Sequence, residues 1–147
     1  MRTKLLHEVE GLRTFVVVMD KDDEAMAELM NFAREHEVTG AGVTAVGAAR
    51  DGLLGYFDPI ELVYRDIPLT GQAEVLSFVG DVAVQGTSPA LHVHGVFGFR
   101  DGSTVGGHVQ RLHVWPTLEI VVTETPEHLS KRVDEETGLA LIGLGEH

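Results

Sequence analysis

Two histidines lie close together in a segment whose residue types alternate as in a β-strand. His92 and His94 occupy the run from Leu91 to Phe99, and apolar residues fill the alternate positions. Residues two apart in a strand project from the same face, so both imidazoles point the same way. Imidazole nitrogen is a common ligand of divalent transition metals. The chain has no cysteine, so a metal site in it uses nitrogen and oxygen ligands.

A third histidine, His108, follows a turn centred on Asp101 and Gly102. A two-residue loop there places His108 on the face opposite to the other two imidazoles. A three-residue loop, with Gly102 in the left-handed conformation, sets His108 directly across from His94. Cross-strand partners have Cβ atoms about 4.5–5.5 Å apart, which lets two imidazoles reach one ion. The three-residue loop is favoured because it pairs apolar residues with apolar residues, although a bulge at Gly106–Gly107 would change the local geometry.

Three convergent imidazoles with an open coordination position suit Zn²⁺ and leave room for water or a substrate group. Several glycines of this segment could leave space around the imidazoles, or admit a ligand or a neighbouring subunit: Gly95, Gly98, Gly106 and Gly107. The alternative interpretation is that the histidines are ordinary polar residues on the solvated face of a strand. The pattern alone leaves both interpretations open.

Other polar residues are candidates for a role beside this site. His113 differs in parity from His108 and faces away unless a bulge intervenes. Glu74 and Glu119 are candidate general acids or bases, because each shares a strand face with apolar residues and either could be half-buried. The favoured interpretation is that both are edge-strand or interface carboxylates, and no catalytic residue is assigned. The remaining histidines are expected to be solvated in helices or terminal segments: His7, His36, His128 and His147.

The elements that position these residues are mainly strands. A β-branched run at Thr14–Met19 comes first, and further short β-type runs separated by turn signals follow at 43–48, 53–57, 61–67, 74–84, 91–99, 104–114 and 118–123. Short connections between strands indicate antiparallel pairing.

Two helices are predicted around this sheet. The acids of the run Asp20–Glu24 suit the first turn of a helix, and the apolar residues that follow at helical spacing predict a helix of about four turns that ends before Gly40. A second, short helix is predicted from Thr125 as N-cap, with Leu129 and Val133 buried and an end at Gly138. The fold class is therefore α+β, in a single domain over 1–147 with its core at about 14–123 and a short helix and tail at 125–147.

Charge and hydropathy limit the possible partners. Lys and Arg total 11 and Asp and Glu total 23, which gives a formal net charge of −12. The cationic residues are scattered, so the chain is a poor candidate for binding nucleic acid through the phosphate backbone. No run approaches the roughly 18–20 apolar residues of a membrane span. The N-terminal segment has no apolar core, so it does not look like a signal peptide, and a cytoplasmic location is expected.

The order of motifs resembles the "plants and prokaryotes conserved" (PPC) domain family. The motifs that carry the resemblance include Gly47–Ala48, Leu54–Phe57 and the strand Ala73–Gly80, with the sequence Ala-Glu-Val-Leu-Ser-Phe-Val-Gly. It continues through the following motifs in sequence order: Leu91-His92-Val93-His94, Asp101-Gly102, Gly106-Gly107-His108 and Leu118-Glu119-Ile120-Val121-Val122. The match covers about Thr14 to Thr123.

The resemblance implies a mainly antiparallel sheet of about seven strands flanked by helices, assembled as a homotrimer. It implies zinc held by His92, His94 and His108, and draws attention to Arg50 and Tyr56 as possible pocket residues. Plant members carry AT-hook segments that bind DNA, and prokaryotic members are often labelled DNA-binding by that analogy. This chain has no Arg-Gly-Arg-Pro AT-hook. Three functions therefore stay open: a zinc-dependent site that binds or acts on a small molecule, a DNA-binding regulator, and an oligomerisation scaffold with a structural metal.

Overall fold

In the computed structural model of the chain, residues 1–144 are described, and they form a mainly antiparallel sheet with one short helix. The seven strands of the large sheet are β1 (Arg2–Val9), β2 (Leu12–Met19), β3 (Ala41–Asp58), β4 (Val63–Leu69), β5 (Ala73–Gln85), β6 (Ser88–Gly98) and β7 (Thr104–Glu124). This confirms the expected α+β class and the seven-stranded sheet. The described residues contain one helix rather than two.

The sheet closes on itself through its two longest strands. The strand order is β1-β2-β7-β6-β5-β3-β4, and β7 pairs with β3 in addition. Strands β3, β5, β6 and β7 therefore form a closed ring of antiparallel pairs. Strand residues alternate between the two faces, so one face packs into the core and the other faces outward. Fully buried side chains on the inner face include those of Phe78, Phe97, Leu112 and Leu118.

The single helix, α1 (Ala25–Glu35), covers the core beside β6 and β7. Its apolar side chains Leu29 and Phe32 are fully buried, and Phe32 meets Phe15 of β2 edge to face at 5.2 Å. The helix is shorter than the predicted four turns because Glu24 caps it, accepting bonds from the backbone N–H groups of Met26 and Ala27. The acids before Glu24 form a turn instead of the first helical turn.

The prediction of a second helix from Thr125 to Gly138 is wrong. The Thr125 hydroxyl donates to the carbonyl of Glu127 rather than accepting from the backbone as an N-cap would. The backbone N–H of Leu129 donates to Thr39, and its carbonyl accepts from the N–H of Val84. These pairings with other elements hold the segment extended. It continues into a small two-stranded sheet of β8 (Lys131–Val133) and β9 (Ala140–Ile142), and Val133 is exposed.

Strand β1 was also not predicted. All eight of its residues are exposed, so it carries no apolar alternation that would signal a strand. It forms a hairpin with β2 through Glu10 and Gly11, both with positive φ. No helix within residues 1–144 has the length and apolar character needed to cross a membrane.

Candidate metal centre

The β6–β7 hairpin has the three-residue loop favoured by its apolar pattern. His94 pairs directly with His108, and Phe97 with Val105. Gly102 has a φ of +85°, the left-handed conformation that this loop requires. The register is regular from His94–His108 to the turn, so no bulge at Gly106–Gly107 disturbs it.

The register brings the three imidazoles together on the outward face of the ring. Ring centroids are 5.0 Å apart for His92 and His94, 5.3 Å for His92 and His108, and 5.4 Å for His94 and His108. One nitrogen from each ring lies within 4.8 Å of the others. His92 Nε2 and His94 Nε2 are 3.1 Å apart, so both nitrogens face the centre of the cluster. His94 is exposed, whereas His92 and His108 are half-buried.

Tyr64 on β4 covers one side of the cluster. Its ring lies 4.9 Å from that of His108 at an interplanar angle of 31°. The two side chains approach each other across Gly55, the β3 residue paired with His108. A Cβ at Gly55 would lie 2.7 Å from Tyr64 Cδ1, so a side chain there would displace the tyrosine ring. Gly55 therefore shapes the wall against His108.

Burial keeps two of the imidazoles neutral. Desolvation is the main cause that lowers the pKa of His108 to about 4, and the charges of His92, His94 and Lys131 contribute the rest of that shift. The pKa of His92 is also lowered, mainly by desolvation and then by Lys131 and His94, while Asp81 opposes the shift. Neutral imidazole is the form that binds a metal ion. His108 Nδ1 is buried and has no hydrogen-bond partner among the described residues.

An ion pair lies behind His92. Asp81 of β5 is the cross-strand partner of His92, and its Oδ2 lies 3.8 Å from His92 Nδ1. Its other oxygen, Oδ1, lies 2.7 Å from Lys131 Nζ. The Lys131 side chain is 3% exposed. It is the one charged residue in the buried set of residues 1–144.

A cleft of about 230 Å³ opens beside the histidines. His92, His108 and Tyr64 form one wall, and Lys131 lies at its side. The rest of the lining is largely aliphatic and comes from β6 and the C-terminal sheet: Ala90, Leu91, Leu139, Ala140 and Leu141, together with the polar Gln85. The cleft combines a donor cluster with an apolar wall, which is typical of small-molecule sites.

The other predicted pocket residues lie outside this cleft. Glu74 and Glu119 are both exposed in the chain, so neither is the half-buried acid or base considered as a possibility, and the interpretation as edge-strand or interface carboxylates remains. The Tyr56 side chain is 61% exposed. Arg50 forms ion pairs with Asp22 and Asp51 instead of facing the histidines.

The glycines of the hairpin do not make room around the imidazoles. A Cβ at Gly95 would lie 2.7 Å from the Phe97 ring, and one at Gly107 would lie 2.8 Å from the carbonyl of Gly55. At Gly106 it would lie 3.0 Å from the carbonyl of Gly95, and at Gly98 it would meet the Leu76 side chain. These glycines allow close packing of strands and side chains.

The remaining histidines lie apart from the cluster. His113 faces away from it, with Nδ1 2.6 Å from Asp51 Oδ1. His7 and His128 are exposed as expected, although His7 is in a strand. His36 ends α1 and packs against Phe32 at 4.7 Å, so it is half-buried rather than solvated. His147 lies outside the described residues.

Sequence reasoning missed Tyr64, Asp81 and Lys131. A signal for Asp81 was present, because a two-residue loop of Gly86 and Thr87 pairs Asp81 with His92, as the structure shows. The position of Tyr64 beside His108 depends on the register between β3 and β4. Lys131 lies in the segment wrongly predicted as helical. Neither position carries a local signal that links it to the histidines.

Comparison with known proteins is consistent with this fold. The chain is 28% identical to a metal-containing protein from Archaeoglobus fulgidus, with a TM-score of 0.83 over 98% of this chain and 100% of that one. It is 25% identical to a plant- and prokaryote-conserved (PPC) protein from Pyrococcus horikoshii, with a TM-score of 0.85 over 96% and 100%. A "putative DNA-binding protein" from Bacteroides thetaiotaomicron shares the fold, with 22% identity and a TM-score of 0.86 over 93% and 94%.

No protein with a curated description matches the sequence significantly. The sequence profile of the Plants and Prokaryotes Conserved domain, abbreviated PCC or PPC, matches residues 6–126. That range contains all three clustered histidines and most of the large sheet. The chain therefore belongs to the Plants and Prokaryotes Conserved domain family.

Proposed function

We propose that this protein binds a divalent transition metal, preferably Zn²⁺, through His92, His94 and His108. The observation that carries the proposal is the convergence of three imidazole nitrogens within 4.8 Å on adjacent strands. The lowered pKa values of His92 and His108 support it, because neither ring has to lose a proton at neutral pH to bind the ion. The metal-containing relative from Archaeoglobus fulgidus points the same way.

The residues present fit such an ion. His108 Nδ1 is buried and has no hydrogen-bond partner among the described residues, and such an unsatisfied nitrogen beside two other imidazoles fits a ring that an ion would complete. Three imidazoles are the protein ligands of a zinc site that keeps an open position. Zinc in such a site supplies Lewis acidity and lowers the pKa of bound water. We therefore propose that a small molecule binds in the adjacent cleft.

A scaffold with a purely structural metal is the weaker alternative. Structural zinc sites use four protein ligands, and the convergent group within residues 1–144 contains three. The cleft beside the histidines also gives access to the site. Both features favour a site that binds or acts on a ligand.

We also propose that the chain assembles as a homotrimer. The outward face of the ring carries apolar side chains that a second copy could cover: Val46, Leu76, Val79, Val96 and Val121, each 39–62% exposed. Val79 is the cross-strand partner of His94, so this apolar face adjoins the metal centre. Large exposed apolar patches are typical of protein interfaces.

DNA binding receives no support from the charge of the chain. The net charge is −12, and non-specific DNA binding depends on Lys and Arg that displace counterions from phosphates. A gel shift with generic duplex DNA at low salt should show no complex. A salt-dependent complex there would restore the regulator hypothesis.

Metal analysis of purified protein beside a His94→Ala variant tests the central proposal. His94 is exposed, so its truncation removes a ligand without opening a core cavity. We expect stoichiometric zinc in the wild type, and loss of most of it in the variant. His7→Ala is the matched control, because His7 is also an exposed strand histidine. A wild type without stoichiometric metal would falsify the proposal.

A further inference from the structure

We propose that Asp81 is a positioning residue that couples metal binding at the histidine cluster to docking of the C-terminal sheet, β8 and β9. This inference rests on the proposed function and extends it from the three ligands to the part of the chain that closes the cleft. Its basis is a chain of three contacts from the cluster through Asp81 to Lys131.

The first contact concerns the orientation of His92. Its Nε2 faces His94 Nε2 at 3.1 Å, toward the cluster. Its Nδ1 faces the opposite way, toward Asp81 Oδ2 at 3.8 Å. A carboxylate on this side favours the tautomer with the proton on Nδ1, which leaves the electron pair of Nε2 free for a cation. At 3.8 Å the contact is electrostatic rather than a hydrogen bond, and a hydrogen bond between a carboxylate and the second ring nitrogen is the usual way in which metal-binding imidazoles are oriented.

The second contact connects Asp81 to the C-terminal sheet. Lys131 Nζ lies 2.7 Å from Asp81 Oδ1, and its side chain is 3% exposed. A buried ammonium group is costly unless an anion compensates it. Docking of β8 therefore depends on the carboxylate that also faces His92.

The third contact explains why docking matters to the site. Leu139, Ala140 and Leu141, from the strand paired with β8 and the residue before it, form part of the cleft wall. The segment before β8 is anchored to the N–H of Val84 through the carbonyl of Leu129. Lys131 is thus the charged contact between the cleft wall and the residue behind His92. Metal binding that stabilises the orientation of Asp81 therefore also stabilises the docked sheet. Because such coupling is reciprocal, docking of the sheet strengthens metal binding to the same extent.

Amide hydrogen exchange and zinc affinity, measured on the full chain, test this coupling. In the wild type, zinc should slow exchange in the peptide covering 131–142. Asp81→Asn should weaken zinc binding about 10–100-fold, as loss of such partners typically does, and should abolish the zinc-dependent slowing. Lys131→Met should keep stoichiometric zinc and also lose the zinc-dependent slowing.

Matched controls separate this effect from a change of charge. Glu74→Gln removes a negative charge from an exposed position on β5, and Arg132→Met removes a positive charge from an exposed position on β8. Both should behave as the wild type. A chelator competition assay gives the affinities, and thermal unfolding confirms that each variant is folded.

The outcomes distinguish this inference from the proposed function. If the wild type binds no zinc, both the proposed function and the coupling are excluded. A wild type that binds zinc with no change in exchange at 131–142 overturns the coupling alone. So does an Asp81→Asn variant with wild-type zinc affinity, because a purely structural ion pair would leave that affinity unchanged.

Discussion

At the scale of single residues, the candidate site depends on partial burial of its histidines. His108 lies between Tyr64 and the other two rings, and desolvation is the largest cause of its lowered pKa. A charged imidazole is disfavoured there, so the ring is held ready for a cation at neutral pH. The same burial makes His108 sensitive to acid when no metal is bound, because unfolding restores its ordinary affinity for a proton.

Acid should therefore destabilise the zinc-free protein through His108. The pKa is about 4 in the folded chain against 6.5 for an unperturbed histidine, so the unfolded state takes up the proton first as the pH falls. The contribution of this residue to the free energy of unfolding should decrease from about pH 6.5 toward about pH 4. Urea unfolding in the presence of a chelator, compared with His108→Gln at about pH 7 and about pH 5, measures it. Equal pH dependence in the two proteins would refute the assignment.

At the scale of elements, the β6–β7 hairpin could be predicted because several local signals agree. The apolar pattern, the Asp101–Gly102 turn and the left-handed glycine all select one register, and that register sets His94 across from His108. Helix α1 is present as predicted but is shorter, because the side chain of Glu24, the last residue of the acidic run, caps it.

The C-terminal segment shows where local signals fail. Thr125 and Pro126 form a typical helix start, yet Leu129 is held extended by backbone hydrogen bonds to Thr39 and Val84. Thr39 and Val84 are distant from Leu129 in sequence, so no local sequence pattern predicts these hydrogen bonds. The same segment contains Lys131, and its ion pair with Asp81 could not be predicted while the segment was expected to be helical. Strand β1 was not predicted for a different reason. Both of its faces are exposed, so no buried apolar face marks it as a strand.

One ion pair ties the ends of three elements together. Arg13 Nε donates to Glu124 Oε2 at 2.8 Å, and Arg13 Nη2 donates to the carbonyl of His36 at the end of α1. The Glu124 side chain is 10% exposed and that of Arg13 is 27% exposed. Hydrogen bonds from Arg13, opposed by desolvation, leave the pKa of Glu124 below its usual 4.5.

Glu124→Gln should lower the free energy of unfolding by about 1–3 kcal/mol at neutral pH, because it removes a partly buried charged partner. The ionised carboxylate supplies the stability, so the effect is full above pH 4.5 and is lost as the pH falls through the lowered pKa of the folded state. The deficit should therefore shrink in acid. Chemical unfolding at neutral pH and at a pH below 4.5 measures the deficit, with Glu127→Gln at an exposed position as control. A deficit independent of pH would contradict this account.

At the scale of the whole molecule, the negative charge favours cations as partners, whereas the exposed apolar surface favours another protein surface. The net charge of −12 attracts cations and repels polyanions, which agrees with a metal centre and argues against DNA. The apolar side chains lie together on the outward face of the ring, while helix α1 and the core occupy the other side. An acidic protein with such a face is suited to association with copies of itself, provided that apolar contacts outweigh the repulsion between like charges.

Val46→Lys tests the proposed association. Val46 is 62% exposed and pairs across the strands with Glu119, so a lysine there has an anionic neighbour within the chain and should not disturb folding. Placed within an apolar contact between copies, the same charge has to be desolvated, and the assembly should dissociate by tenfold or more. Ile60→Lys makes the same change at a side chain that is 86% exposed and lies outside this face. Light scattering after size-exclusion chromatography should give a trimer for the wild type and the control, and a monomer for Val46→Lys. Equal masses for all three would exclude this face as the interface, and a monomeric wild type would exclude the trimer.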